Sequence, residues 1–324
     1  MWAFLTRRLF QAVAVVFVMA VIVFFGVNVI GNPVDILINP EFTEAEYQEA
    51  IRALGLDLPL YEQFFVFLGN AFEGDLGTSF VWGEPALQLI AQRLPATLEL
   101  AGAALFLSIV LGVPLGMYAG TKPHSWVSKS IVSSSILGFS LPTFWVGIMM
   151  IMVFAVMLGI LPSTGRGDTV EVFGIEWSFL TWDGLTHLAM PAVNLALTNI
   201  ALVIRLSRAG TREIMLQDYI KFARAKGLGQ TRITLVHVLK NTLIPVVTVL
   251  GLELGSLIAF SVVTETVFAW PGMGKLIIES IQVLDRPIVV AYLMLTVLLF
   301  VTINFLVDIL YSLLDPRVRL SGAK

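Results

Sequence analysis

Ionisable side chains inside apolar runs are where chemistry is sought first, because a charge in hydrocarbon persists only when something pairs or wets it. Glu253 stands in the middle of the apolar run 243–263. A charge at such a depth costs roughly 3 kcal/mol. The carboxylate therefore reads either as a group facing a solute path or a partner protein, or as a hydrogen-bonded contact between helices. Asn304 and Asp308 are four residues apart and share one helical face. Asp308 lies near the inner end of its run, which favours a tie between helices over solute binding. Glu99 and Glu265 lie near outer ends and are expected to reach water, and Arg205 is expected to snorkel inward. Enzymatic chemistry has little to work with. The chain has no cysteine, and its three histidines, His124, His187 and His237, are not at ligand spacing. No Ser/His/Asp signature and no His-Glu-x-x-His occurs. Gly272-Met-Gly-Lys275 fails the phosphate-loop pattern, since Leu276 stands where Ser or Thr is required. No catalytic residue, metal or cofactor is expected.

The elements that carry these residues follow from composition. Of 324 residues 57% are hydrophobic and 13% charged, and mean hydropathy is +0.87. That is too much apolar surface for a soluble fold of this length, and disordered chains are polar instead. Six windows are long enough to cross a bilayer: 10–30, 97–119, a stretch within 131–161, 188–206, 243–263 and 288–310. Pro142 is expected to break or bend the third, leaving 131–141 as a lead-in helix. The alternating strands of an outer-membrane barrel are absent from the pattern. The first window is long for a signal peptide and lacks a convincing cleavage site, so it reads as a retained span. The fold class is thus an all-α integral membrane protein of six transmembrane helices.

Charge sets the orientation. Segments before the first span, at 120–130, at 205–242 and after the last span hold 15 of the 20 Lys and Arg residues. The positive-inside rule puts both termini in the cytoplasm. The first outside loop, 31–96, instead carries ten acidic residues. Thr43-Glu-Ala-Glu46 has capping-box spacing and predicts a helix over 44–54. Pro59 opens a second helical run, 60–68, whose aromatics suit the membrane interface. This loop reads as a docking surface for an outside partner, or as a cap over the bundle, or both. Trp177 and Trp182 in the second outside loop suit the interfacial aromatic belt.

The longest inside segment, 207–242, exceeds what a connector needs. Residues 214–225 lack Gly and Pro and are rich in helix formers. Gly227 follows where a helix C-cap is expected. Lys221, Arg224 and Lys226 crowd the last turn, where they complement the helix dipole. A second helical piece over 230–241 leads back to the membrane at Pro245. Helix–Gly–helix projecting into cytosol favours a protein dock over a basic loop that touches anionic lipid. Small residues at Gly102, Ala103, Ala104, Gly112 and Gly116 read as a helix-packing surface.

Seven motifs in order carry a resemblance. They are Gly74-Asp-Leu-Gly-Thr-Ser-Phe80 with Arg93-Leu-Pro-Ala-Thr97; Ser140-Leu-Pro-Thr-Phe-Trp145 with Leu161-Pro-Ser-Thr-Gly165; His187-Leu-Ala-Met-Pro191; Asp218-Tyr followed by Ala223-Arg-Ala-Lys-Gly227; Glu265-Thr-Val-Phe-Ala-Trp-Pro-Gly-Met-Gly274; Asn304-Phe-Leu-Val-Asp308; and Leu314-Asp-Pro-Arg317. Together they resemble the ABC-importer permeases of the peptide/nickel group, in the B-type subunit, over nearly the whole chain. One departure stands out. The general docking motif has Glu-Ala-Ala six residues before its Gly, whereas here Lys221, Phe222 and Ala223 occupy those places.

The resemblance implies one permease of an importer in a bacterial inner membrane. Its partners would be a second permease, two cytoplasmic ATPases and an extracytoplasmic binding protein, all working in a lipid bilayer, with no nucleic acid. ATP hydrolysis would belong to the partners. The ATPase dock would comprise Asp218, Lys221, Phe222, Ala223, Arg224, Ala225, Lys226 and Gly227, with shape fit at Ala223, Ala225 and Gly227 mattering most. Glu253, Asn304 and Asp308 would mark the translocation path or the permease interface. The organisation is then a first segment and span over 1–30, an outside loop over 31–96, a transmembrane core over 97–316 with the docking loop 207–242, and a tail over 317–324. The competing reading from residues alone is an ATP-independent channel or ion-coupled carrier. That reading needs no dock, and carriers often show inverted repeats that this chain lacks.

Overall fold

The computed structural model of the chain describes residues 2–29, 48, 51–52 and 57–314. Of the capping-box helix expected over 44–54 only residues 48, 51 and 52 are among them, and they are helical; the tail over 317–324 lies outside them. Ten helices are named below: α1 (Trp2–Val29), α2 (Leu60–Glu73), α3 (Ala86–Thr121), α4 (Trp126–Ser140), α5 (Thr143–Met157), α6 (Trp182–Met215), α7 (Asp218–Ala225), α8 (Gln230–Val267), α9 (Met273–Gln282) and α10 (Arg286–Leu314). A short antiparallel hairpin, β1 (Val170–Val172) with β2 (Ile175–Trp177), sits between α5 and α6. Among the described residues five helices are long and apolar enough to span a bilayer, and the α4–α5 pair makes a sixth if it counts as one bent span.

The bend in that pair is 105°. Its cause is local. Pro142 has no N–H to continue the helix and forces the residue before it out of the helical region. Leu141 is extended at φ −86°, ψ 137°, and the next helix starts with Val146 N–H donating to Pro142 O at 3.1 Å. Pro245 has no such effect. It sits inside α8, which runs unbroken from Gln230 through a π-helical turn at Ile233–Val238. The piece expected over 230–241 is therefore the start of the span and not a separate helix. Likewise α3 begins at Ala86, so the first long loop ends about three helical turns before the expected 96.

The chain divides into two compact units. The first comprises residues 1–95 and 272–305. In it α2 packs on α1 through aromatic rings: Phe64 lies 5.3 Å from Phe24 and 6.4 Å from Phe17, edge-on in both cases. Pro59 opens α2 as the sequence predicts, and Gly74 closes it at φ +84°. The segment after α2 is anchored by Asp285, just before α10. Its carboxylate accepts from Ser79 Oγ and from Phe80 N–H at 3.2 Å.

The second unit comprises residues 96–271 and 306–324. Here α3 lies along α6 at backbone contact. A Cβ placed on Gly112 would sit 2.7 Å from Val203 Cβ; on Gly116, 2.6 Å from Ile204 O; on Gly120, 2.7 Å from Thr211 Cβ. Four-residue spacing brings all three to one face, which is how small residues let membrane helices approach. Gly102, expected in the same surface, meets nothing within 4 Å. Helix α8 runs antiparallel to α6. Asn194 Nδ2 donates to Thr264 Oγ1 at 3.1 Å near one end, and Gly210 lies beside Thr242 near the other.

Candidate functional site

Helix α7 is the centre of the segment 207–242. The single helix expected over 214–225 is in fact two. α6 continues to Met215, tightens as Leu216 and Gln217 N–H bond three residues back, and the chain then turns. α7 has eight residues, Asp218–Ala225. An isolated helix so short is unstable in water, so packing must hold it. Ile220 is fully buried and Ala223 is 7% exposed, in one apolar cluster with Val113, Met117, Val203, Ile233, Val238, Val246 and Leu250. The C-terminus closes as a Schellman motif. Gly227 N–H donates to Arg224 O at 2.9 Å and Leu228 N–H to Ala223 O at 3.2 Å. Gly227 has φ +79°, which is why glycine is wanted there.

The residues predicted for docking therefore separate by face. Asp218, Lys221, Phe222, Arg224, Ala225, Lys226 and Gly227 are exposed. Ala223 is buried in that apolar cluster, where its small size serves α7's seat. Two of these charges answer one another, and two further cations rest on uncharged groups. Lys221 Nζ lies 2.8 Å from Asp218 Oδ1, with both side chains exposed. That hydrogen bond, and then the lysine charge, hold the Asp218 carboxyl below its usual range. Lys226 Nζ stands 4.5 Å over the Phe222 ring, and Arg224 reaches Met215 Sδ at 3.8 Å. What remains is an apolar display. Phe222 is 62% exposed, Leu216 74% and Tyr219 45%. Tyr219 was legible as an aromatic inside the motif but carried no signal of exposure. Its hydroxyl accepts from Asn241 Nδ2 at 3.2 Å.

Two acids expected to reach water are buried instead. Glu99 is 5% exposed and Glu265 not at all. Glu99 Oε2 accepts from Arg166 Nη2 at 2.6 Å and Nε at 3.0 Å. Its Oε1 accepts from Ser178 N–H, Ser178 Oγ and Phe179 N–H at 2.7–2.8 Å. Glu265 Oε1 accepts from Thr97 Oγ1 at 2.8 Å and Ser261 Oγ at 2.9 Å. Trp270 Nε1–H donates to Ala96 O at 2.9 Å, and the Arg166 guanidinium lies 5.8 Å from the Trp270 ring centre. The segment around the hairpin is thus fastened to α3 and to the end of α8. Arg166 and Glu99 are 67 residues apart, a separation that no local pattern encodes.

Glu253 is half-buried and lines a cavity of about 480 Å³ between α4, α5, α6 and α8. Arg205 lines it too, its guanidinium 5.2 Å from the Phe139 ring. Arg205 is itself exposed. Asn304 and Asp308 are outside the lining. Asn304 Nδ2 donates to Phe300 O at 2.8 Å, within its own helix, and Asp308 is partly exposed one turn further on.

These features meet a known family. A model described as the binding-protein-dependent transport system inner membrane component matches residues 112–320, and that family's N-terminal membrane-component model matches 1–101. The chain belongs to this family. It is a multi-pass inner-membrane transport component, a permease subunit of the ABC-transporter class. The di/tripeptide transport system permease DppB of Pseudomonas aeruginosa is 37% identical over 333 residues, covering 98% of this chain and 99% of that protein. The probable D,D-dipeptide permease DdpB of Escherichia coli K12 is 39% identical, over 100% and 99%. The oligopeptide permease AppB of Bacillus subtilis is 35% identical, over 98% and 100%. In fold, the chain resembles the inward-facing MetNI methionine ABC transporter, with TM-score 0.53 and 19% identity over 70% of this chain and 97% of that one.

Proposed function

We propose that this permease carries short peptides, as one of two membrane subunits of an importer whose other parts are two cytoplasmic ATPases and an outside binding protein. The peptide permeases that match it end to end support the cargo. Both termini are cytoplasmic and the α4–α5 pair counts as one span, giving six. The 31–96 loop, with its acidic excess, is the landing surface for the binding protein. Substrate then passes between the two permeases, and the chain itself performs no hydrolysis.

The observation that carries the coupling is the two-faced character of α7. Ile220 and Ala223 fix it to α6 and α8, and Phe222, Leu216 and Tyr219 project away. An apolar, partly aromatic projection seats in a partner's cleft better than exposed ion pairs do, since each such pair contributes little. Closure of the ATPase dimer pushes α7, and the push passes through Ile220 into α6 and α8, which move between inward- and outward-facing states. The aromatic at Phe222 takes over the contact that the general motif gives to glutamate.

The test is Phe222→Ala in the whole importer. Membrane insertion should be unchanged, ATPase co-purification should weaken, and peptide uptake should fall at least tenfold. Full uptake with an intact complex would rule out docking through this face.

A further inference from the structure

The Glu253 cavity holds two opposite charges that no described contact joins. Glu253 has no hydrogen bond or ion pair among the described residues, and no ion pair links it to Arg205 within 4.0 Å. Arg205 instead leans on the Phe139 ring. The spacing of the lining is regular. α6 presents Leu195, Asn199 and Leu202 from one face, and α8 presents Glu253, Ser256 and Phe260 from one face. The antiparallel register set by Asn194–Thr264 and Gly210–Thr242 puts Arg205 and Glu253 within roughly 9 Å of the same height. An extended dipeptide spans about 7 Å between its ends. A volume near 480 Å³ is ample for it and falls in the usual range for small-ligand sites.

We propose that this cavity binds a short peptide with free ends, Glu253 taking the α-ammonium and Arg205 the terminal carboxylate. The proposal rests on the peptide-permease reading. Leucine and phenylalanine side chains around the two charges suit a variable body, while Asn199 and Ser256 offer hydrogen bonds to the peptide group. A half-buried carboxylate without a partner in an apolar helix is otherwise an unexplained cost to insertion. A ligand ammonium, or water held for it, removes that cost when the cavity fills.

The decisive measurement is equilibrium binding of radiolabelled dialanine, N-acetyl-dialanine and dialanine amide to the importer complex in nanodiscs, without the binding protein. Wild type should bind dialanine at least tenfold more tightly than either blocked form, as expected for losing one charge-assisted hydrogen-bonded contact. Glu253→Gln should erase the preference over the acetylated form and keep the preference over the amide. Arg205→Gln should do the reverse, and Glu253→Asp should restore the first preference. Absence of saturable binding by wild type, equal binding of the three probes, or preferences unchanged in both variants would overturn the site. Uptake by the complete importer decides the broader reading independently. Uptake that persists while binding fails removes only the site. Dialanine binding that depends on Glu253, in an importer that takes up no peptide, removes the reading and keeps the site.

Discussion

Glu99 and Arg166 show how a single residue type changes meaning with its neighbours. As isolated letters they are an acid near a span end and a cation in an outside loop. Together they form a buried ion pair whose remaining carboxylate oxygen is filled by Ser178 and Phe179 donors. Removing one partner strands the other charge, which typically costs about 3–5 kcal/mol. Arg166→Ala should therefore lower the thermal midpoint of the purified protein sharply, and the double variant Glu99→Gln with Arg166→Met should recover part of the loss. Asp218 is the opposite case, being exposed and answered by Lys221. Its carboxyl, ordinarily titrating at 3.8, is held lower. Its favourable contribution is therefore complete above the ordinary value and lost only as pH falls through the lower, folded one. ATPase association should then be flat from neutral pH down to about 5, a point that pull-down across that range checks. Phe222 is exposed on α7 and Ala223 is buried under it; helical spacing says which residues share a face but not which face is covered.

Elements reveal which glycines matter. Gly112, Gly116 and Gly120 admit α6, so Gly116→Leu should separate two spans and unfold the protein at lower temperature, whereas Gly102→Leu should leave stability within about 0.5 kcal/mol of wild type. Gly227 is needed for its backbone and not for its size, since open space surrounds it. Any side chain there strains the cap of α7 by about 1 kcal/mol. A bulky substitution at Gly227 thus loosens α7 and obstructs docking at once, which makes Phe222→Ala the cleaner test of contact. Proline punctuation was legible at Pro59 and Pro142, where the chain was free to turn. At Pro245 it was not legible, because membrane helices tolerate proline where neighbours satisfy the freed carbonyl.

For the whole molecule, the gradient of charge is the organising fact. Fifteen of twenty cations fall in the inside segments of the proposed topology. The natural absence of cysteine makes that topology directly testable. Phe173→Cys, at the fully exposed hairpin turn, should react with a membrane-impermeant thiol reagent added outside, and Leu216→Cys only after the inner face is opened. Reaction of Leu216→Cys alone from outside would reverse the six-span arrangement, and reaction of both from one side would break it.

By itself the sequence determined the solvent and the family, and it carries the proposed orientation. These rest on sums along the chain and on motif order, neither of which needs tertiary contacts. The hydrophobic windows fall within the long apolar helices, which run on past the windows through 86–96 and 207–215. Tertiary structure alone decided which acids are buried, which face of α7 is free, and that Arg205 shares a cavity with Glu253. The physical reason is the same in each case. Burial and pairing are set by residues far away in sequence, 67 positions for Glu99 with Arg166 and 168 for Thr97 with Glu265, brought near by helix packing, and no local period or composition encodes that proximity.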